Sequence, residues 1–124
     1  MKILWTKNVL ALNLFISLRL SNFKNGMNIG EQLRILREEI NLSLRDVSCR
    51  IGIDASLLGK IERNERPPTK EQIKQMSIFF NVNEKSLIKE LLSDQIAYKI
   101  LEEEADIDIL RVAEQKIEYL KKQQ

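Results

Sequence analysis

Between Ser43 and Arg63 the chain reads SLRDVSCRIGIDASLLGKIER, two short apolar-periodic stretches separated only by Gly52-Ile53-Asp54. So brief a glycine-containing turn constrains the fold more than any other feature. It sets two helices at a steep angle and leaves them no choice but to share one core. Ser43, followed three residues later by Asp46, has the spacing of a capping box, which starts the first helix. Gly52 stands where a helix closes, and Asp54 is suited to cap the second helix, expected from Ala55 to about Arg63. Val47, Ile51, Ile53, Leu58 and Ile61 supply the shared apolar face, and Ser48 is small where the helices must cross.

Helical signals continue on both sides. Leu33, Leu36 and Ile40 fall on one face of a helix expected from Gly30 to Ile40. Pro67 and Pro68 interrupt the chain after the turn-linked pair, Thr69 with Gln72 opens a helix to about Phe80, and Asn83 caps a fifth. The run SLIKELLSDQIAYKILEEE has no breaker and is expected to prolong that fifth helix. Asp106 is expected to cap a last helix, IDILRVAEQKIEYLKK. There Leu110, Ala113, Ile117 and Leu120 follow 3-4-3 spacing, which fits either a coiled-coil seam or a helix packed on its own domain.

The chain divides into three segments by composition. Residues 1–26 carry Lys2, Lys7, Arg19 and Lys24 without an acid, and Val9–Leu18 is apolar apart from Asn13 and Ser17. No small-x-small cleavage site follows, and the run is short for a membrane span. This segment is open to three readings: a start upstream of the true Met27, a short interfacial or packing helix, or a signal or anchor. Residues 27–92 hold eleven basic and ten acidic residues, and residues 93–124 hold five basic and eight acidic. A polyanion-binding surface must therefore be a local patch of the middle segment.

With one cysteine, Cys49, and no histidine, the chain can form no internal disulfide and no Cys/His zinc site. There is no glycine-rich phosphate loop, no nucleophile beside a base, and no expected cofactor or metal. The acidic run Glu102–Asp108 is better explained as a solvated helix boundary than as a metal site. The chain is read as a non-enzyme working in a reducing cytoplasm, away from membranes.

The stretch GEQLRILREEINLSLRDVSCRIGIDASLLGKIERNERPPTKEQIKQMSIFFNVNEKSLI, from Gly30 to Ile88, resembles the Xre/Cro/lambda-repressor-like helix-turn-helix family. The resemblance implies an all-α, five-helix DNA-binding domain over residues 27–92, here with a C-terminal helical extension over 93–124. It also implies a double-stranded operator as partner and a homodimer. By position, Ala55, Ser56 and Lys60 match family residues that face base edges. Ser43, Leu44, Arg63 and Arg66 match those that approach the DNA backbone, and Arg37 with Glu62 matches a structural salt bridge. Leu44 stands where the family often has glutamine, Ala55 is short and Gly59 has no side chain. Readout then leans on Ser56, Lys60 and DNA shape. Gly59 either lets the helix sit deep in the groove or packs against a neighbouring helix. An alternative function is an antitoxin or antirepressor that binds a partner protein through the C-terminal helices.

Overall fold

The computed structural model describes residues 26–124 and is built from helices alone, without a strand among the described residues. The three readings of residues 1–26 lie outside the described residues, apart from Gly26 itself. The helices are α1 (Ile29–Glu39), α2 (Leu44–Ile51), α3 (Ala55–Glu62), α4 (Lys70–Phe80), α5 (Glu84–Glu102) and α6 (Ile109–Lys122). The chain forms two compact units that meet between Leu92 and Ser93, within α5.

In the first unit, short polar side chains define where each helix starts. Ser43 Oγ accepts from the Asp46 N–H at 3.1 Å while the Ser43 N–H donates to the Asp46 carboxylate at 2.9 Å. Thr69 and Gln72 make the same reciprocal pair at the start of α4. Asn28 and Glu31 repeat it at α1, and Asn83 Oδ1 accepts from Ser86 N–H at α5. Helix ends follow a second pattern. Gly52 closes α2 with φ 71°, and Asn41, Asn64 and Asn81 take φ values of 55°, 59° and 56° after α1, α3 and α4. Asparagine is the non-glycine residue best suited to this left-handed region. Each asparagine turn lets the following N–H reach back to a helix carbonyl, as Glu65 does to Lys60 at 2.9 Å and Val82 to Ser77 at 3.0 Å.

The core is one continuous apolar cluster. Leu33 and Leu36 from α1, Val47 from α2, Leu58 and Ile61 from α3, Ile73, Met76 and Phe80 from α4, and Leu87 and Leu91 from α5 are all buried in it. Gln32 is buried too, and its amide donates to Met27 O and to Glu90 Oε2, both at 3.0 Å, tying α1 to α5. Helix α1 approaches α3 closely at Gly30. A Cβ on Gly30 would meet the carbonyl oxygens of Ile61 and Glu62, the latter at 2.9 Å, and Asn64 Oδ1 at 2.6 Å. Only glycine fits there.

The second unit consists of the end of α5, a turn, and α6. Its last helix begins later than Asp106 would place it. Asp106 Oδ1 accepts from the Asp108 N–H at 3.1 Å, so the side chain closes its own local turn rather than capping α6. Ile107 and Asp108 are turn residues, and Asp108, at the cap position, makes no side-chain cap bond.

Candidate nucleic-acid interface

Helix α3 has eight residues, and at 100° per residue it shows two distinct sides. Leu58, Gly59, Ile61 and Glu62 are buried, whereas Ser56 and Lys60 are exposed and one turn apart. Arg63, at the helix end, continues that outward row. Ala55 and Leu57 sit half-buried on the margins. Asp54 fixes the start of the helix, with Oδ2 accepting from the N–H groups of Ser56 at 3.1 Å and Leu57 at 3.3 Å.

Helix α2 presents its own N-terminus nearby in sequence. Ser43 is exposed, and its Oγ is occupied as the cap acceptor, which leaves the hydroxyl proton available to donate outward. Leu44 is half-buried and belongs to the packing between α2 and α3.

Gly59 belongs to that same packing. A Cβ there would lie 3.5 Å from Leu44 Cδ1 and 3.1 Å from Arg63 Nη1. The Leu44 distance is ordinary contact, and the nearer atoms belong to the Arg63 side chain, which folds back over the glycine. Arg63 is further held by Glu65, with Nε at 3.0 Å from Oε1. The hydrogen bond to Glu65 raises the arginine's pKa, and the same bond lowers that of the glutamate. Arg66 is exposed in the segment just before Pro67.

Behind this face, Arg37 and Glu62 form a two-pronged ion pair. Nε and Nη2 each approach one carboxylate oxygen at 2.8 Å, and Nη1 donates to Leu42 O at 2.9 Å. The side chains are 13% and 5% exposed. The hydrogen bond to Glu62 holds the guanidinium pKa above its ordinary value, despite the opposing effect of burial. One arginine thus ties α1, the loop that follows it and the last turn of α3 together.

The helix-turn-helix family profile matches residues 33–87, from the middle of α1 to the start of α5. Residues 33–87 belong to the Xre/lambda-repressor-like helix-turn-helix family. That family is a DNA-binding, non-enzymatic domain, and both α2 and α3 lie within the matched residues. No curated protein and no solved structure gives a significant match to the chain.

No group of three or more Cys, His, Asp or Glu side chains among the described residues is arranged to hold a metal ion. No helix among them is long and apolar enough to cross a membrane. Of the residues the resemblance matches to base-facing positions, Ser56 and Lys60 are exposed and Ala55 is half-buried, whereas Gly30 and the three asparagine helix ends were not anticipated from the sequence. The signal for those ends was visible: each asparagine stands one to three residues after an apolar position, Ile40, Ile61 or Phe80.

Proposed function

We propose that the protein is a sequence-specific DNA-binding transcriptional regulator that reads an operator through α3. The observation that carries this reading is the outward row Ser56, Lys60 and Arg63 on a helix-turn-helix of a DNA-binding family. In this reading Lys60 donates to guanine O6 and N7 in the major groove, and Ser56 donates to or accepts from a base edge. The methyl of Ala55 meets a thymine methyl at the margin. Ser43, Arg63 and Arg66 grip phosphates, and Leu44 supports α3 from beneath. Arg63 must leave Glu65 to do so, an exchange that costs little because the pair is exposed.

The regulator acts in the cytoplasm on double-stranded DNA with two half-sites. The test is selection of bound duplexes from a random pool, followed by titration of the winning sequence against scrambled DNA at several salt concentrations. Specific binding with a log–log salt slope of about −0.9 per neutralised phosphate is expected. An absence of enriched sequence, or equal affinity for scrambled DNA, overturns the reading. The apolar side chains exposed along the C-terminal helices support a second reading, an antitoxin or antirepressor bound to a partner protein. That reading is favoured only if DNA selection fails.

A further inference from the structure

From Ser93 to Gln124 no side chain is buried. Of the twelve large hydrophobic side chains exposed among the described residues, eleven lie between Leu92 and Leu120. On α6 they are not scattered. Ile109, Leu110, Val112, Ile117, Tyr119 and Leu120 occupy one half of the circumference, 44–62% exposed, with Lys116 the one charge among them, while Arg111, Glu114, Glu118, Lys121 and Lys122 occupy the other. A 14-residue helix is marginal in water without a covered apolar face. The hairpin does not cover its own face. The end of α5, the turn after it and the start of α6 leave an open apolar cavity of about 590 Å³, lined by Ile96, Ile100, Leu101, Ile107 and Leu110 among others.

We propose that a second copy of this chain covers this surface, with the 93–124 hairpins pairing about a two-fold axis and their α6 helices antiparallel. Area and charge both select that occupant. The ten such side chains within 93–124 present on the order of 1,000 Å² of apolar surface, against roughly 800 Å² per partner in a standard stable interface. The hairpin also carries both halves of an isologous contact, an apolar cavity at its bend and an apolar ridge on α6, so each copy can fill the other. The charges are polarised along α6. Glu102, Glu104, Asp106 and Asp108 crowd the turn before it, and Lys121 and Lys122 end it. Antiparallel pairing brings the lysines of each copy to the acidic turn of the other. Parallel pairing would set lysines against lysines and acids against acids.

The proposal rests on the DNA-binding reading in one respect, that a two-fold dimer suits two half-sites. Sedimentation of the full chain without DNA tests the dimer alone. The wild type is expected to sediment as a dimer at micromolar concentration. I117E, which places a carboxylate on the apolar face, is expected to raise the dimer dissociation constant at least ~100-fold. K121E with K122E is expected to weaken the dimer about tenfold, and adding E102K with D108K to restore it. This charge exchange touches no buried residue, so its rescue cannot be mistaken for refolding. A wild type that stays monomeric, a dimer indifferent to I117E, or a charge exchange without rescue overturns the proposal. A monomeric chain that pairs with a different protein assigns the face to that partner and overturns it equally. A dimer that binds no DNA would leave this inference standing and remove the DNA reading, whereas a monomeric I117E that still binds one half-site would separate the two in the opposite sense.

Discussion

Arg37 and Glu62 face each other across α1 and α3 with both guanidinium–carboxylate contacts at 2.8 Å, and neither side chain is more than 13% exposed. Their worth lies in being matched. Removing one partner leaves a buried charge uncompensated, at a cost of ~3–5 kcal/mol, whereas replacing both by apolar side chains of similar volume is often nearly neutral. E62L and R37M are each expected to fall in that range, and the double variant to be far more stable than either. Urea unfolding of the four proteins measures this. A double variant as unstable as the sum of the singles would show that the pair does not act as a unit.

Gly30 and Gly59 are both buried in helices, yet they should respond oppositely to alanine. At Gly30 the added methyl meets backbone carbonyls of α3, which cannot move without separating α1 from α3. G30A is expected to destabilise by several kcal/mol, in the upper range for single substitutions, on the order of 3 or more. At Gly59 the nearest atom is the end of the flexible Arg63 side chain, and the helix gains alanine's propensity, ~1 kcal/mol. G59A is therefore expected to raise the melting temperature and leave operator affinity unchanged. A stabilised G59A that loses DNA binding would return this position to the DNA face.

The contrast between these glycines marks how far the sequence can be read. Helix starts were legible because a capping box is a local pattern: Ser43 with Asp46 and Thr69 with Gln72 announce themselves at fixed spacing. The Arg37–Glu62 pair is 25 residues apart and came only through family resemblance. Gly30 was invisible because its constraint comes from Ile61 and Glu62, which no local pattern connects to it. Asp106 misled for the same reason in reverse. Its carboxylate had two local N–H groups to choose from, and spacing does not decide between a turn and a cap. The outward row of α3 was legible because burial of Leu58 and Ile61 fixes which way Ser56 and Lys60 must point.

Acid should destabilise the first unit by a traceable route. The backbone N–H of Ser43 and its hydroxyl hold the Asp46 carboxyl below its usual range, and Arg34 and Arg63 do the same for Glu38 and Glu65. A carboxyl whose folded pKa is depressed stabilises the fold above its unfolded pKa, near 4, and that contribution is lost as pH falls through the folded value. Melting temperature is expected to be flat from neutral pH to about 5 and to drop below 4. D46A is expected to melt lower than wild type at neutral pH and to lose less on acidification. Parallel wild-type and D46A profiles would show that the Asp46 cap contributes nothing to the acid slope.

Lys60 and Arg66 are both exposed cations, and the proposed complex gives them different work. Lys60 lies one turn beyond Ser56 on the outward row of α3, a reach that carries its ammonium to base edges. Arg66 lies past the helix end, beside Pro67, where the chain leaves the groove and phosphates flank it. K60A is expected to cost ~1–3 kcal/mol on the selected operator and little on scrambled DNA, with preference relaxed at one base position. R66A is expected to weaken binding to both DNAs alike and to flatten the salt slope by about one unit. Competition titrations of both variants on both DNAs, each at several salt concentrations, separate these outcomes. Equal losses on the two DNAs for K60A would make Lys60 a phosphate contact. Sequence preference would then have to come from Ser56 and from the deformability of the operator itself.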